Sequence, residues 1–474
     1  MVETIKADIC VIGAGSAGLS VAAGASQMGA SVVLIEKGTM GGDCLNTGCV
    51  PSKALLAAAH AAQGFRDAGR FGIGAVEPAV DFAKVRDHVR GVIAGIAPND
   101  SVERFEGLGV RVIQEEARFT GPREVVAGEV AVRARRFVVA TGSSALVPPI
   151  PGLDRAPYFT NETIFDNATC PDHLIVIGGG PIGIEMAQAH RRLGARVNVI
   201  EKLRCLPRDD PEITAVALDR LRAEGVALLE RTAVRSVEAT ASGVAVDTEA
   251  DGRAGRVEGS LLLVAAGRAA NVDGLGLDAA GIDFGPRGIA VDAGLRTTNR
   301  RVFAIGDVAG PYQFTHMAGY QAGVVIRRAL FRLPAKVDYR AVPWVTYTDP
   351  EVAQVGMTED QARAAHGDVK VLRENFADND RARAERDTDG LIKVMTTRRG
   401  RILGASIVGV GAGDLVLPWS MMIARKMKIG AMASLIAPYP TRGEIAKRAA
   451  GAYYTPSLFG PRTRWMVRLL SKFG

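Results

Sequence analysis

The sequence predicts an α/β fold made of two similar strand–helix–strand units and a C-terminal α+β domain. Two stretches place the pattern Gly-x-Gly-x-x-Gly between a short apolar strand and a helix, one starting at Gly13 and the other at Gly178. From Pro343 onward, short segments alternate between apolar and polar residues, which is typical of antiparallel strands. A chain of 474 residues is long enough for about three domains.

The first unit carries the fingerprint of a Rossmann-like dinucleotide-binding domain. Apolar strands over residues 7–12 and 31–35 flank an alanine-rich helix, and the second strand ends in an acid. In this motif the first glycine permits a tight turn, the second lets a pyrophosphate approach the backbone, and the third lets helix and strand pack closely. The helix N-terminus favours phosphate, and the carboxylate can accept ribose hydroxyls. The residues that would bind the dinucleotide are Gly13, Gly15, Gly18 and Glu36.

The second unit repeats these features at the same spacing. Strands over residues 173–177 and 196–200 flank its helix, and the first glycine and the acid are 23 positions apart in both units. Because this copy also keeps its three glycines and its acid, two bound dinucleotides are favoured. The alternative is one bound dinucleotide and a second unit that repeats the fold without binding one. The corresponding residues are Gly178, Gly180, Gly183 and Glu201.

Glu201 also bears on which nicotinamide dinucleotide binds. A carboxylate at this position pairs with a free ribose 2′-hydroxyl and repels a 2′-phosphate, which favours NADH over NADPH. Lys202 and Arg204 follow directly and offer positive charge that would soften this repulsion, although they are also compatible with a solvated surface.

Turn-rich segments divide the chain. A buried strand over residues 137–142 ends in a glycine turn before the proline-rich residues 147–152, and residues 261–268 repeat that pattern. Residues 302–307 form a further strand that closes on a glycine and Asp307, which suits a hydroxylated cofactor chain. We expect a discontinuous first domain over residues 1–150 and 274–342, a second over 151–273 and a third over 343–474.

Two of the five cysteines form the candidate redox centre. Cys44 and Cys49 are separated by four residues and lie between a glycine turn and a helix that opens with Pro-Ser-Lys. Flanked by small turn residues, the two thiols can reach each other and an outside molecule. We predict a redox-active disulfide that takes electrons from a flavin, against the alternatives of a structural disulfide or two reduced core thiols. Cys10, Cys170 and Cys205 lack a partner at useful spacing and are expected to be passive.

Composition excludes several classes of protein. The net charge is +7, but aromatic residues make up only 5% and no basic run is interleaved with them, so nucleic acid is not an expected partner. No resident metal is expected either. No apolar run approaches the ~18 residues of a membrane span, and the N-terminus has no apolar signal core, so the expected location is the cytoplasm.

With these pieces in this order, the chain resembles the pyridine nucleotide-disulfide oxidoreductases, a family that includes dihydrolipoamide dehydrogenase, glutathione reductase and mercuric reductase. The resemblance runs from about residue 5 to about residue 450 and is most specific over residues 41–53, with support from residues 178–185, 267–268 and 306–307. It implies FAD in the first unit, NADH or NADPH in the second, and a C-terminal dimerisation domain. The protein would then be a homodimer whose active site is completed by the partner chain.

The resemblance also implies roles for single residues. Cys49 would face the flavin and Cys44 the substrate, while Lys53 and Glu185 match an ion pair near the reactive nitrogen of the flavin. A plain surface lysine and an ordinary first-turn helix carboxylate are the structural alternatives for that pair. The FAD site would comprise Gly13, Gly15, Gly18, Glu36, Gly42, Lys53, Ala117, Thr141, Gly142, Ser143 and Asp307, and the NAD(P) site Gly178, Gly180, Ile182, Gly183, Glu201 and Gly267.

One position departs from the pattern of the disulfide-reducing members. They use a His-Pro-Thr stretch shortly before a Glu as an acid–base dyad, and here Tyr439 stands in place of the histidine, before Glu444. All six histidines precede residue 367, so none can take over this position. A tyrosine with a reference pKa near ~10 is a poor proton shuttle at neutral pH. For Glu444, a helix capping box with Thr441 is a structural alternative.

Mercuric reductases also carry a tyrosine after a proline at this site, and thiolates suit soft metal ions. Those enzymes typically have a C-terminal cysteine pair, whereas the last cysteine here is Cys205. We therefore expect a mercuric reductase-like enzyme acting on a soft metal ion or another small acceptor. The alternatives are a dihydrolipoamide dehydrogenase that works with Tyr439, and a non-catalytic flavoprotein redox sensor.

The tail over residues 459–474 lies outside the resemblance. Arg464, Arg468 and Lys472 recur at every fourth position, and apolar residues form the opposite stripe, so a basic amphipathic helix is predicted. Such a helix can lie on a membrane surface or pack on the dimer with its basic residues solvated.

Overall fold

The computed structural model describes residues 3–473. Strands β3, β2, β1 and β6 of the first region lie side by side and parallel, and β5 and β4 extend this sheet in antiparallel pairing. The side chains of β2 are buried on both faces, which explains its continuous apolar run. The elements are β1 (Glu3–Ile12), α1 (Ser16–Gln27), β2 (Val32–Ile35), α2 (Gly42–Asn46), α3 (Cys49–Asp67), α4 (Phe82–Ile96), α5 (Val102–Gly107), β3 (Val110–Ile113), β4 (Ala117–Gly121), β5 (Glu124–Ala127), β6 (Val130–Val139) and β7 (Ser143–Ala145).

A second parallel sheet follows, with the strand order β10-β9-β8-β14. A three-stranded antiparallel sheet, β11-β12-β13, shares a core with one side of it, and helices α6 and α3 share a core with its Leu174 and Val176. The elements are β8 (His173–Ile177), α6 (Pro181–Arg192), β9 (Arg196–Ile200), α7 (Pro211–Ala223), β10 (Val226–Leu229), β11 (Ala233–Thr240), β12 (Gly243–Ala250), β13 (Arg253–Gly259), β14 (Leu261–Val264), β15 (Arg268–Ala270), β16 (Phe284–Gly285) and β17 (Gly288–Ile289).

The chain then returns to the first sheet. Strand β18 (Val302–Ala304) pairs in parallel with β6, and the helix α8 (Thr315–Ala329) shares a core with α1. Strands β7 and β15 pair antiparallel and connect the two regions a second time. Because α3 packs on the core of the second sheet while its N-terminus follows the first, the cysteine segment lies where the two regions meet.

The C-terminal region is an antiparallel sheet with helices, as the alternating pattern predicted. Its strand order is β19-β20-β23-β22-β21, and the fully buried Trp419 packs in its core. The elements are β19 (Pro343–Thr346), β20 (Glu351–Gly356), α9 (Glu359–His366), β21 (Val369–Asn375), α10 (Asp380–Glu385), β22 (Leu391–Thr397), β23 (Ile402–Gly409), α11 (Ala412–Leu415), α12 (Leu417–Ala424), α13 (Ile429–Ala433), α14 (Glu444–Ala452), α15 (Thr455–Leu458) and α16 (Pro461–Leu470).

The predicted α/β class with two Rossmann-like units and a C-terminal α+β domain is therefore confirmed, and the predicted tail helix is present as α16. Of the helices within residues 3–473, none has the length and apolar character needed to cross a bilayer.

Candidate active site

A cavity of about 1590 Å³ lies between the two parallel sheets and the C-terminal sheet. It is larger than the roughly 300–1,000 Å³ of a typical single-ligand pocket, which suits two extended ligands that meet end to end. Most of the residues predicted from the sequence line it: Gly13, Gly15, Glu36, Gly42, Cys44, Cys49, Lys53, Ala117, Thr141, Gly142, Ser143, Gly178, Gly180, Ile182, Glu185, Glu201, Gly267 and Asp307.

The first and third glycines of each motif are required by the protein itself. Gly13 and Gly178 have φ of +102° and +113°, which side chains rarely adopt. A Cβ on Gly18 would lie 1.8 Å from the carbonyl oxygen of Gly13, and the matching atom on Gly183 would lie 2.0 Å from that of Gly178. These four positions therefore set the turn and the close packing of helix against strand.

No steric contact within the protein requires glycine at the second position of each motif. A Cβ on Gly180 would meet no atom within 4 Å, and a Cβ on Gly15 would meet its nearest atom only at 3.9 Å. Both residues line the cavity and precede the first turn of a helix. The open space in front of them fits the close approach of a pyrophosphate, so both cradles fit a dinucleotide.

The two acids make the same contacts in both units. Glu36 accepts hydrogen bonds from the backbone N–H of Ala14 at 2.5 Å and of Gly38 at 2.8 Å. Glu201 accepts them from Gly179 at 2.7 Å and Leu203 at 2.8 Å. Each carboxylate is thus held at the end of its strand, beside its glycine turn, with remaining lone pairs that can accept a ribose hydroxyl.

The two cysteines come together across the junction of α2 and α3, and both are free thiols in this structure. Cys49 is exposed toward the cavity, and Cys44 is half-buried. The hydrogen bond with Cys44 lowers the pKa of Cys49 to about 6, aided by the Thr315 hydroxyl 3.4 Å from its sulfur and by the charge of Lys53, and opposed by burial. The same hydrogen bond, together with burial, raises the pKa of Cys44. This arrangement makes Cys49 the thiolate and Cys44 the thiol near neutral pH.

The predicted ion pair between Lys53 and Glu185 is present. Lys53 Nζ lies 2.9 Å from Glu185 Oε2, and the Glu185 side chain is only 6% exposed. Tyr347, just after β19, donates its backbone N–H to Glu185 Oε1 at 2.9 Å and places its ring 4.2 Å from the Lys53 ammonium. Three separate parts of the chain therefore meet at this pair.

The structure adds site residues that sequence reasoning missed. Arg268 pairs with Asp43 at 3.2 Å and donates to the Ser143 hydroxyl at 2.7 Å, and Ser143 in turn donates to Asp307 Oδ2 at 2.6 Å. Burial raises the pKa of Asp307, against the lowering effect of Ser143 and Arg268. Arg268 could have been identified from the sequence, because it directly follows the glycine turn at Gly267. Thr315 and Tyr347 belong to no motif that would have identified them.

Tyr439 and Glu444 do not join the cavity of their own chain. Tyr439 is 69% exposed, and its hydroxyl donates to Asp380 Oδ2 at 3.1 Å rather than to Glu444. The capping-box alternative for Glu444 is wrong, because the Thr441 hydroxyl donates to the carbonyl of Pro438 and α14 begins without a side-chain cap. Glu444 Oε2 is buried and has no hydrogen-bond partner among residues 3–473.

No group of three or more His, Cys, Asp or Glu side chains within the described range is arranged to hold a metal ion. The cavity brings a thiol pair close to an ammonium–carboxylate pair, and two dinucleotide cradles open onto it.

Comparisons with known proteins agree with this geometry. Residues 7–322 match the family described as pyridine nucleotide-disulphide oxidoreductase, and residues 342–450 match its dimerisation domain. A mercuric reductase from Streptomyces lividans is 38% identical over 458 residues, covering 94% of this chain and 96% of that protein. A dihydrolipoyl dehydrogenase from Geobacillus stearothermophilus is 35% identical over 455 residues, covering 94% and 96%.

Solved structures agree as well. LpdA from Mycobacterium tuberculosis has a TM-score of 0.86 at 26% identity, covering 95% of this chain and 99% of its own. The Cu(II) complex of the HOCl-induced flavoprotein disulfide reductase RclA from Escherichia coli has a TM-score of 0.84 at 26% identity, covering 93% and 98%.

Family matches cover both the nucleotide-binding and the C-terminal regions, and relatives above 30% identity align over almost their whole length. The relatives are named oxidoreductases, and the family depends on FAD and a pyridine nucleotide. The resemblance predicted from the sequence is confirmed: the chain is an enzyme that belongs to the pyridine nucleotide-disulphide oxidoreductase family.

Proposed function

We propose that the protein passes electrons from NAD(P)H through FAD and the Cys44–Cys49 pair to a soft metal ion or another small acceptor. The observation that carries this proposal is that the two thiols open into the same cavity as both dinucleotide cradles. We assign FAD to residues 1–150 with 274–342, the nicotinamide dinucleotide to residues 151–273, and dimerisation to residues 343–474. FAD would carry an electron pair from the nicotinamide to the disulfide.

The side chains of this site have different roles in the proposed reaction. Two electrons and one proton convert the disulfide to a thiol at Cys44 and a thiolate at Cys49, which keeps the negative charge because its pKa is near 6. Lys53 stabilises that charge and is itself held by Glu185. Cys44, the thiol of the pair, is the group left to meet the acceptor. When a divalent soft metal ion binds both sulfurs, Cys44 releases its proton to solvent. The two thiolates then give two electrons to the metal, the sulfurs rejoin as a disulfide, and the metal leaves in its neutral form.

The acceptor is inferred from Tyr439. Reduction of an organic disulfide needs a proton for the departing thiolate, and a tyrosine hydroxyl bound to Asp380, which raises its pKa further, supplies it poorly. A soft metal ion bound by two thiolates needs no such proton. The mercuric reductase relative at 38% identity supports this choice, and the dihydrolipoyl dehydrogenase at 35% keeps lipoamide as the second candidate. A non-catalytic redox sensor is the third, and the poised thiolate argues against it.

We favour NADH as the electron donor. The Glu201 carboxylate stands at the position that meets the ribose 2′-hydroxyl. Arg204, one of the two basic residues beside it, donates to the backbone carbonyls of Pro207 at 2.8 Å and Asp209 at 2.7 Å. Because its guanidinium is engaged with the protein, it is poorly placed to bind a 2′-phosphate.

We also propose that the active unit is a homodimer, which the match to the dimerisation domain supports. Large apolar side chains of that domain are exposed, with Leu417 at 67%, Met421 at 55% and Ile436 at 95%. Tyr439 follows Ile436 closely along the chain. A second copy seated on this surface would cover it and bring Tyr439 and Glu444 to the partner's cysteine pair.

For the tail, we propose contact with an anionic membrane surface on the cytoplasmic side. Trp465, Leu470 and Phe473 are 65%, 61% and 81% exposed, although their stripe is apolar. No Asp or Glu follows Glu444, so the basic residues of this segment are not neutralised locally. A bilayer surface covers such a stripe and matches its charge, and a cycling dithiol suits the reducing cytoplasm.

Vesicle co-sedimentation tests the membrane proposal. The full chain should bind vesicles with phosphatidylglycerol and not pure phosphatidylcholine, and replacing Arg464, Arg468 and Lys472 by Ser should abolish binding. Equal failure of the full chain and a variant lacking residues 459–474 would refute the proposal. If the deletion instead dissociates the dimer, the tail packs on the second copy.

The reaction itself is tested with the holoenzyme. Anaerobic titration with NADH should reduce the flavin and generate long-wavelength absorbance from a thiolate beside it. Steady-state oxidation of NADH and NADPH is then measured with Hg(II), lipoamide, oxidised glutathione and quinones. Turnover with Hg(II) well above turnover with lipoamide supports the proposal. Strong lipoamide activity favours the second candidate, and an NADH-inert flavin favours the sensor.

A further inference from the structure

Tyr347 occupies the point where the C-terminal sheet meets the Lys53–Glu185 pair. The residue follows β19 directly, it is part of the cavity wall, and its ring lies 4.2 Å from the Lys53 ammonium. An ammonium over an aromatic face is attracted by the negative face of the ring, and the attraction grows when water is excluded. The ring therefore attracts the ammonium in addition to lining the cavity.

The Lys53 ammonium has three neighbours. Glu185 Oε2 lies 2.9 Å from Nζ, the Ser52 hydroxyl lies 3.4 Å from it, and the Tyr347 ring covers a further side. The Lys53 side chain is 37% exposed, so without the ring a flexible four-carbon chain would gain freedom toward the solvent. Glu185 restrains one side of the ammonium, and the ring restrains another.

The ring is itself held by the backbone around it. Tyr347 donates its N–H to Glu185 at 2.9 Å. Two residues later, Asp349 exchanges two hydrogen bonds of 2.8 Å with the Gln188 side chain, and its carboxylate pairs with Arg192 at 2.9 Å. Glu185, Gln188 and Arg192 all belong to α6, the helix of the second nucleotide unit. This anchoring sets the height of the ring over Lys53.

We propose that Tyr347 is a positioning residue that holds the Lys53 ammonium beside Cys49 and thereby controls the charge on that sulfur. The proposal rests on the proposed function, since it concerns the same thiolate. The aromatic ring carries the effect, and the phenol hydroxyl is not required. The C-terminal sheet then takes part in electron entry within one chain, apart from its role in dimerisation.

The other groups that face Cys49 define what the variants must leave unchanged. Cys44 and Thr315 stabilise the thiolate by hydrogen bonds, and the Asp43 carboxylate destabilises it. Lys53 lies four residues after Cys49 on α3, so the two side chains share one face of the helix, and the charge of Lys53 helps to lower the pKa of Cys49. Displacement of Lys53 should therefore raise the pH at which the thiolate forms, with the other contacts intact.

The test uses FAD-loaded protein carrying Cys44→Ser, which keeps a hydroxyl beside Cys49 but cannot form the disulfide. The pH dependence of the long-wavelength thiolate absorbance gives a midpoint. Tyr347→Leu should shift that midpoint upward by about half a pH unit, the size expected from losing one such contact. Tyr347→Phe, the matched control, should leave the midpoint in place because the ring remains. Flavin content confirms that each variant is folded, and Tyr347→Met replaces Tyr347→Leu if the latter loses FAD.

A second pair of variants separates positioning from a general structural effect. Lys53→Ala should raise the midpoint at least as far as Tyr347→Leu, and adding Tyr347→Leu to Lys53→Ala should produce no further shift. An unshifted midpoint in Tyr347→Leu, or an equal shift with and without Lys53, overturns the proposal. Complete absence of pH-dependent thiolate absorbance in the Cys44→Ser protein would instead overturn the proposed function itself.

Discussion

One chain supplies more of the entry side of the proposed electron path than of its exit side. At the entry side, formed by Cys49, Lys53 and Glu185, the groups lie in hydrogen-bond or charge contact inside one cavity. At the exit side, Tyr439 is 69% exposed and outside that cavity, and Glu444 keeps a buried oxygen without a partner among residues 3–473. The contacts of the entry side are formed within one chain, whereas the proposed exit side would be completed by a second copy.

The entry side and the exit side are therefore under different physical constraints. The entry side must hold a thiolate next to a cofactor, so its charges are paired within the fold. The exit side must admit an acceptor from solution, so Tyr439 stays at the surface of its own chain. Changes at the entry side should therefore affect every acceptor, and changes at the exit side should alter which acceptor is used.

The largest expected effect is from Cys49→Ser. Because the serine hydroxyl cannot form the disulfide, NADH-dependent turnover should fall by about 10³-fold or more with every acceptor, as expected for loss of a covalent participant. Flavin reduction by NADH in a stopped-flow experiment should persist. Cys205→Ser is the matched control, since this buried thiol lies outside the cavity, and turnover that survives in Cys49→Ser would refute the thiol path.

Tyr439→His tests the exit side. A histidine can protonate a departing thiolate, and general acid catalysis is typically worth about 10²-fold or more, so lipoamide turnover should rise by about that factor. Turnover with Hg(II) should change little. Tyr439→Phe controls for loss of the hydroxyl bonded to Asp380 and should give no gain in lipoamide turnover. Fast lipoamide turnover by the wild-type enzyme would refute the idea that Tyr439 disfavours organic disulfides.

Glu201→Gln tests the preference for NADH over NADPH as the electron donor. Replacing the carboxylate weakens the bond to a ribose 2′-hydroxyl and removes repulsion of a 2′-phosphate, so the NADH-to-NADPH ratio of kcat/KM should fall about tenfold. The equivalent Glu36→Gln in the first unit should lower FAD retention and leave that ratio unchanged. An unchanged ratio in Glu201→Gln would mean that other groups select the donor.

The smallest effect is a pH dependence. The pKa of Cys49 is lowered to about 6, so its thiolate is present above that pH and is lost as the pH falls through it. Alkylation of the reduced pair by iodoacetamide should therefore rise only about twofold between pH 6 and pH 8. An ordinary thiol would gain about two orders of magnitude over that interval, and such a gain would show that Cys49 is not activated.

Much of the fold and part of the site could be predicted from local patterns. The strands of both nucleotide units follow from short apolar runs, and the turn glycines follow from backbone geometry that glycine alone tolerates, as at Gly13. The Lys53–Glu185 pair, 132 positions apart, was reached only through the family resemblance, because no local pattern records such a distance. The capping box proposed for Thr441 and Glu444 matched the local pattern, yet the Thr441 hydroxyl bonds to Pro438 instead.

The sequence by itself determined the two dinucleotide units, the cysteine pair and the tyrosine in place of histidine, because each depends on residue types at short, regular spacing. Only the tertiary structure decided which thiol carries the charge, and that Tyr347, Thr315 and Arg268 belong to the site. These features arise where the first sheet, the second sheet and the C-terminal sheet converge. The charge on the Cys49 sulfur depends on every group packed around it, and the sequence alone does not show that Thr315, 266 positions away, is one of them.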